Sequence, residues 1–151
     1  MAVRPLREHL ILLLAIASHV SKQTQEHHLA KLDLSVREQV ALNAIAEGAP
    51  NQLTIARRSG LDKSTLTPVL DQLERKKLID RRLDPDDRRA RIVTITDAGR
   101  RILTRSGRTT TEIEEDLLAD LTPDEQGQFR AMLQRIVEGR MAGISVPGSC
   151  L

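Results

Sequence analysis

Two groups of side chains in this sequence have the types and spacing to do chemistry. The first lies on one face of the segment after Asp62, where Lys63, Ser64, Thr65, Thr67, Gln72 and Arg75 recur, with Pro68 among them. Hydroxyls, a carboxamide and long cations are the groups that bond base edges and neutralise phosphates. Pro68 and the threonine carbons can touch a thymine methyl. The second group is the loop DPDDRRA, Asp84–Ala90, which together with the next residue supplies Asp87, Arg88, Arg89 and Arg91. Cations at the tip of such a loop can reach a DNA minor groove. Taken alone, each group also reads as a solvated charged surface.

Other constellations lead nowhere. His19, Glu26, His27 and His28 suggest a metal, but adjacent histidines on a helix point about 100° apart and do not share an ion. Asp84, Asp86 and Asp87 are interleaved with arginines and read as a structural turn. The single cysteine, Cys150, excludes a disulfide framework and suggests a reducing, cytoplasmic setting. No G-x-G-x-x-G, P-loop, G-x-S-x-G or H-E-x-x-H is present, so neither an enzyme nor a cofactor is expected.

The elements that must position these groups follow from periodicity. Leu66, Val69, Leu70 and Leu73, spaced i, i+3, i+4, i+7, put a helix behind the first group. Ile79–Leu83 and Arg91–Ile95 read as two strands around the loop. Upstream, Gln52–Ser59 is a short helix with Leu53, Ile55 and Ala56 facing inward, and Ser59-Gly60-Leu61-Asp62 is a tight turn. Short helix, turn, polar-faced helix and charged hairpin spell a winged helix-turn-helix.

Around that unit, Leu6 to about Leu32 reads as one long helix and Asp33-Leu34-Ser35 as its break. Ser35 and Glu38 form a capping box for a helix from Val36 to about Glu47. A fifth helix is expected from Thr96-Asp97 to about Leu118, with Ala98, Ile102, Thr109, Ile113 and Leu117 as its stripe. A sixth follows the Thr122–Glu125 box to about Glu138, with Phe129, Met132, Leu133, Ile136 and Val137 inside. The fold class is therefore mainly α with a small β-hairpin wing. Residues 1–34 and 98–140 form a helical dimerisation region, 35–97 the DNA-binding region and 141–151 a flexible tail. The first helix is longer than a small core requires, so a second copy of the chain is expected to cover it.

Composition agrees with this plan. The 151 residues are 40% apolar and 29% charged, with Phe129 the lone Phe, Trp or Tyr, so the core must be aliphatic. The longest apolar run, Leu10–Ala17, is too short for the roughly 20 residues of a membrane helix, and no signal peptide or membrane partner is expected. Net charge is +2, but Arg57–Arg91 holds 11 Lys/Arg against 7 Asp/Glu, whereas Thr109–Phe129 holds seven acids and no Lys/Arg. One surface facing an anion and another facing away would be built so.

The run Asp87-Arg88-Arg89-Ala90-Arg91-Ile92-Val93-Thr94-Ile95-Thr96-Asp97-Ala98-Gly99 resembles the D-x-R-x5-L-T-x-x-G wing signature of the multiple-antibiotic-resistance regulator (MarR) family, with Ile95 at its Leu position. Leu34-Ser35…Gln39…Leu42 and Leu73-Glu74…Lys77-Leu78-Ile79 also match, although Lys77 replaces the usual glycine. The resemblance covers residues 6–138. It implies a homodimeric winged helix-turn-helix regulator of transcription, usually a repressor, that binds an inverted-repeat operator in double-stranded DNA and answers to a small-molecule effector. It also implies that Arg89 enters the minor groove with its guanidinium held by Asp87. Thr65-Leu66-Thr67-Pro68 looks like the family's organic-hydroperoxide branch, yet the sensing cysteine of that branch's first helix is missing from Leu6–Leu32. A phenolic or other aromatic acid is the family's default effector. A thiol- or metal-responsive regulator of this fold and a winged-helix module that binds protein are the alternatives.

Overall fold

A computed structural model describes residues 5–87 and 90–142. Six helices and one hairpin follow in the order α1 (Leu10–Ala30), α2 (Val36–Ala46), α3 (Gln52–Ser59), α4 (Lys63–Arg75), β1 (Ile79–Leu83), β2 (Arg91–Ile95), α5 (Asp97–Leu117) and α6 (Pro123–Glu138). The strands pair antiparallel from Ile79 opposite Ile95 to Leu83 opposite Arg91. This is the mainly α winged-helix architecture that the periodicities predict.

Local chemistry sets most boundaries. The Ser35 hydroxyl accepts the Glu38 N–H at 3.1 Å while the Glu38 carboxylate accepts the Ser35 N–H at 2.8 Å, closing the expected capping box. Thr122 and Glu125 do the same for α6, with Pro123 at the first helical position. The carboxyl of Glu125 is lowered in pKa because the Thr122 N–H bonds its charged form. The long first helix is shorter than expected. Leu6–Glu8 form a 3-10 turn, and His9 is extended at ψ 110°, so α1 starts only at Leu10.

Three helices end alike. After α4, the Leu78 N–H donates to Leu73 C=O and the Lys77 N–H to Glu74 C=O, both at 2.9 Å, with Lys77 left-handed at φ 56°. This is a Schellman closure. Asp33 (φ 52°) and Gly48 (φ 88°) play the same part after α1 and α2. Lys77 thus stands, with a Cβ, in the conformation that explains why the family pattern has glycine there. Lys77→Gly is expected to stabilise the fold by about 0.5–1 kcal/mol in urea titration, the relief of αL strain exceeding the added unfolded-state entropy.

The core is aliphatic and lies in the middle of the chain. Leu29, Leu42, Ile55, Leu66, Leu70, Leu73 and Ile79 are fully buried there. Buried polar groups tie the helical layers together: Gln39 of α2 donates to the Thr110 hydroxyl of α5 and accepts from the Gln25 amide of α1, each at 3.0 Å. Lys76, at the end of α4, pairs with the buried Glu38 carboxylate at 2.9 Å and donates to Asp33 C=O at 2.6 Å.

The last helix corrects an expectation. Phe129, Met132, Leu133, Ile136 and Val137 form one stripe, as the spacing requires, but all five are exposed within the chain and no residue of α6 is buried. α6 is held through Gln126, whose amide donates to Leu118 and Leu121 C=O, and through an Arg130–Glu114 ion pair at 2.8 Å. The first half of α1 behaves likewise, with Ile11 80% exposed and Leu10, Leu13 and Ile16 uncovered. In α5, Leu117 is also exposed, and it is Ser106 and Gly99 that are buried.

Candidate nucleic-acid interface

α4 turns the predicted face outward. Lys63, Ser64, Thr67, Pro68, Gln72 and Arg75 are exposed and Thr65 is partly so, while Leu66, Val69, Leu70 and Leu73 seal the opposite side. The helix runs unbroken through Pro68.

The hydroxyls on this face already have partners. Asp62 caps α4: one carboxylate oxygen accepts the Ser64 hydroxyl at 2.6 Å and the Thr65 N–H at 2.8 Å, and the other accepts the Thr65 hydroxyl at 2.9 Å. These bonds, that from Ser64 foremost, hold the Asp62 carboxyl down at about 2, so the cap is fully ionised near neutrality. Thr67 donates to Lys63 C=O at 3.0 Å and accepts from the Gln52 amide at 2.8 Å. Gln52 lies on α3, 15 residues away, and no local sequence signal marks it as the neighbour of Thr67.

Leu53 departs from expectation. The helical spacing predicts it inside, yet it is 63% exposed, and of Leu53, Ile55 and Ala56 only Ile55 is fully buried. In an eight-residue helix one apolar position decides little about orientation, and the Asn51 cap, accepting the Thr54 N–H at 3.0 Å, sets how α3 enters. Leu53 ends beside Ala56 and Lys63 in a cleft of about 270 Å³ between α3 and the start of α4.

Arg81 fixes the wing to α4. Its guanidinium bonds Glu74 through both Nε, at 2.9 Å, and a terminal nitrogen, which also reaches Asp71 at 2.6 Å. The contact lowers the Glu74 pKa, the Arg81 hydrogen bond being the main cause. Arg81 is therefore a strut between strand and helix rather than a cation available to a ligand. No sequence pattern marks it, because its partners are seven and ten residues upstream, across an element boundary. On the other side, the Val93 N–H donates to Pro50 C=O at 2.9 Å, tying β2 to the entry of α3.

The loop closes on itself through Asp84 N–H to Ala90 C=O at 3.1 Å and Ala90 N–H to Asp87 C=O at 2.9 Å. Asp87, in the middle of the loop, and Arg91, the first residue of β2, are exposed. Arg88 and Arg89, and with them the Asp87–Arg89 pair, lie outside the described residues, as does Cys150. A groove of about 460 Å³ separates the wing from α3 and α4, lined by Gln52, Leu53, Arg81 and Arg91 among others. Among the described residues no group of three or more His, Cys, Asp or Glu side chains is arranged to hold a metal ion; His27 and His28 meet edge to face, 5.7 Å apart.

A family model described as "MarR family" matches residues 44–90, which run from the end of α2 through α4 into the wing loop. Solved structures match over nearly the whole chain. A MarR-family transcriptional regulator from Rhodococcus sp. RHA1 is 26% identical at a TM-score of 0.78, covering 89% of this chain and 96% of its own. Residues 44–90 carry the MarR family pattern, and the chain as a whole shares the fold of these regulators. CouR from Rhodococcus jostii RHA1, solved bound to p-coumaroyl-CoA, is 27% identical at a TM-score of 0.77, covering 91% of this chain and 97% of its own. The PcaV transcriptional regulator from Streptomyces coelicolor, solved with its natural ligand, is 28% identical at a TM-score of 0.73, covering 93% and 99%. MarR-family members are transcriptional regulators, and this chain has their winged-helix fold. Among the described residues no helix is long and apolar enough to cross a membrane.

Proposed function

We propose that this protein binds a specific double-stranded DNA sequence as a homodimer and represses transcription until a small ligand releases it. The observation that carries the reading is the outward polar face of α4, flanked by a wing that Arg81 braces against the same helix. A rigid helix of this kind fits a major groove, and the adjacent loop arginines reach the neighbouring minor groove. α4 contributes Lys63, Gln72 and Arg75 with Ser64, Thr65, Thr67 and Pro68, and the wing contributes Asp87, Arg88, Arg89 and Arg91. The apolar faces of α1 and α6 pair with those of a second copy, which makes 1–34 and 98–140 the dimerisation region and 35–97 the DNA-binding region. A two-fold dimer sets two copies of α4 about 34 Å apart, so the operator is an inverted repeat.

The effector is a small lipophilic or aromatic anion. CouR and PcaV were each solved with a ligand bound, and the chain has no cysteine in its first helix for an oxidant to act on. A ligand seated between α1 and the DNA-binding lobe need favour the wrong helix spacing by only ~1–3 kcal/mol to release DNA. Titrating the DNA complex with a phenolic-acid panel, with peroxide and with zinc separates this reading from thiol- and metal-responsive ones. Release by peroxide that vanishes in Cys150→Ser would overturn it.

DNA binding itself is tested by salt and by the wing. Affinity for a selected operator is expected to fall ~10²-fold or more between 50 and 200 mM salt, as phosphate contacts release counterions. A winged helix that binds protein would show no such slope on DNA. Arg89→Ala is expected to weaken operator binding ~10-fold and to relax preference at the flanks, where the minor groove is narrow, with Asp87→Ala giving a smaller loss in the same direction. If both variants bind like the parent, the wing does not read the groove.

A further inference from the structure

The sequence presents Ser64, Thr65 and Thr67 as hydroxyl donors for base edges, and the folded chain uses those protons elsewhere. Ser64 and Thr65 donate to the Asp62 carboxylate, and Thr67 donates to Lys63 C=O while accepting from Gln52. The Gln52 amide orientation is fixed by this arrangement: the single Thr67 proton already goes to Lys63, so Gln52 must be the donor. The major-groove edges of guanine (N7, O6), the N7 of adenine and the O4 of thymine are acceptors and need a donor from the protein. None of the three hydroxyls has one left. With its hydroxyl bound to Lys63 and Gln52, Thr67 has its methyl as the group without a polar partner, and the next residue, Pro68, is exposed and offers only CH2 groups from its side chain.

We infer that Thr67 and Pro68 form an apolar reading head that recognises the C5-methyl groups of thymines, and that Gln52 is the positioning residue that turns the Thr67 methyl outward. The inference rests on the DNA-binding reading above. Thymine is the one base that carries an apolar group in the major groove, so an apolar head discriminates for it without a hydrogen bond. Hydrogen-bonded readout then falls to the donors further along the face, Gln72 and Arg75, and to Lys63 at its start.

The test uses a duplex enriched from a random-sequence pool by the purified full chain, with each thymine replaced in turn by deoxyuridine. That replacement removes the methyl group and leaves the hydrogen-bonding edge intact. Removing a single contacted methyl is expected to weaken binding about fourfold, at one or two symmetric positions. Thr67→Ser, which keeps the hydroxyl and its bonds to Lys63 and Gln52 but lacks the methyl, should weaken binding and abolish the deoxyuridine penalty, whereas Thr67→Val, which keeps a methyl but loses the Gln52 bond, should retain part of it. Gln52→Ala should lower the penalty at the same position. Thermal melts of each variant confirm that this exposed helix face tolerates the change. If every thymine is replaceable without loss, or if Thr67→Ser binds like the parent while Thr67→Val does not, the hydroxyl is the reader and the inference falls. Should the pool yield no enriched duplex, the DNA-binding reading fails first and takes the inference with it.

Discussion

Replacing Leu133 and Ile136 together by glutamate is expected to leave the chain folded but monomeric, and to lower operator affinity by at least ~100-fold, because two linked half-site contacts become one. A 16-residue helix with no buried side chain has little reason to persist in water, since isolated helices of that length are marginal even with good caps. Yet α6 carries a full capping box, a leading proline and an apolar stripe of five residues, all uncovered within the chain. The uncovered half of α1 supplies a second apolar surface. A second copy brings both, and each leucine or isoleucine it buries contributes about 1.5–3 kcal/mol. Both residues are exposed and outside the buried core cluster, so circular dichroism should keep its helical signal while sedimentation shifts from dimer to monomer. A parent protein that sediments as a monomer at micromolar concentration would sink the assembly, and the inverted-repeat operator with it.

Gly99→Ala is expected to cost about 1–3 kcal/mol of stability, one of the largest effects of a single methyl anywhere in this chain. Gly99 sits buried in the first turn of α5, where an added Cβ would lie 2.2 Å from the Leu78 carbonyl oxygen and 2.7 Å from Ile95. The nearer atom is backbone and already accepts the Thr96 N–H at 3.0 Å, and the preceding carbonyl, that of Lys77, accepts the Thr96 hydroxyl at 2.8 Å. Neither can retreat without opening the cap of α5 and the exit of α4 together. The clash therefore reaches the wing, and DNA binding should weaken alongside the melting temperature. Urea titration measures the first effect and operator titration the second. A Gly99→Ala protein as stable as the parent would show that the α4–β1 turn yields more readily than its hydrogen bonds suggest.

The final glycine of the wing signature is thus a packing requirement. In the sequence it stands out only as part of a resemblance, because φ and close approach leave no mark in the composition around a glycine. Lys77 carries the complementary lesson. The sequence shows that a glycine is missing there, and the left-handed φ shows what its absence costs.

What the sequence by itself determined is everything set by neighbours within about one helical turn. The stripe Leu66, Val69, Leu70, Leu73, the boxes Ser35–Glu38 and Thr122–Glu125, and the Asp62 cap all appear in the structure as their spacing requires, since each is an i to i+3 or i+4 relation. Two alternating segments around a charged loop were enough for the hairpin and its antiparallel pairing. Tertiary structure alone decided which surfaces those elements cover. The stripe of α6 is correct as a stripe, but periodicity gives a face and not a partner, and the partner is absent from the chain's own core. Leu53 turns outward because its short helix is oriented by the Asn51 cap and the packing of Ile55 rather than by one leucine. The Arg81 strut and the Gln52–Thr67 bond join residues from different elements, and no local pattern records such a meeting. It is these contacts that decide which polar atoms of α4 are still available at its surface, because a hydroxyl has one proton to give and only the folded chain shows where it has gone.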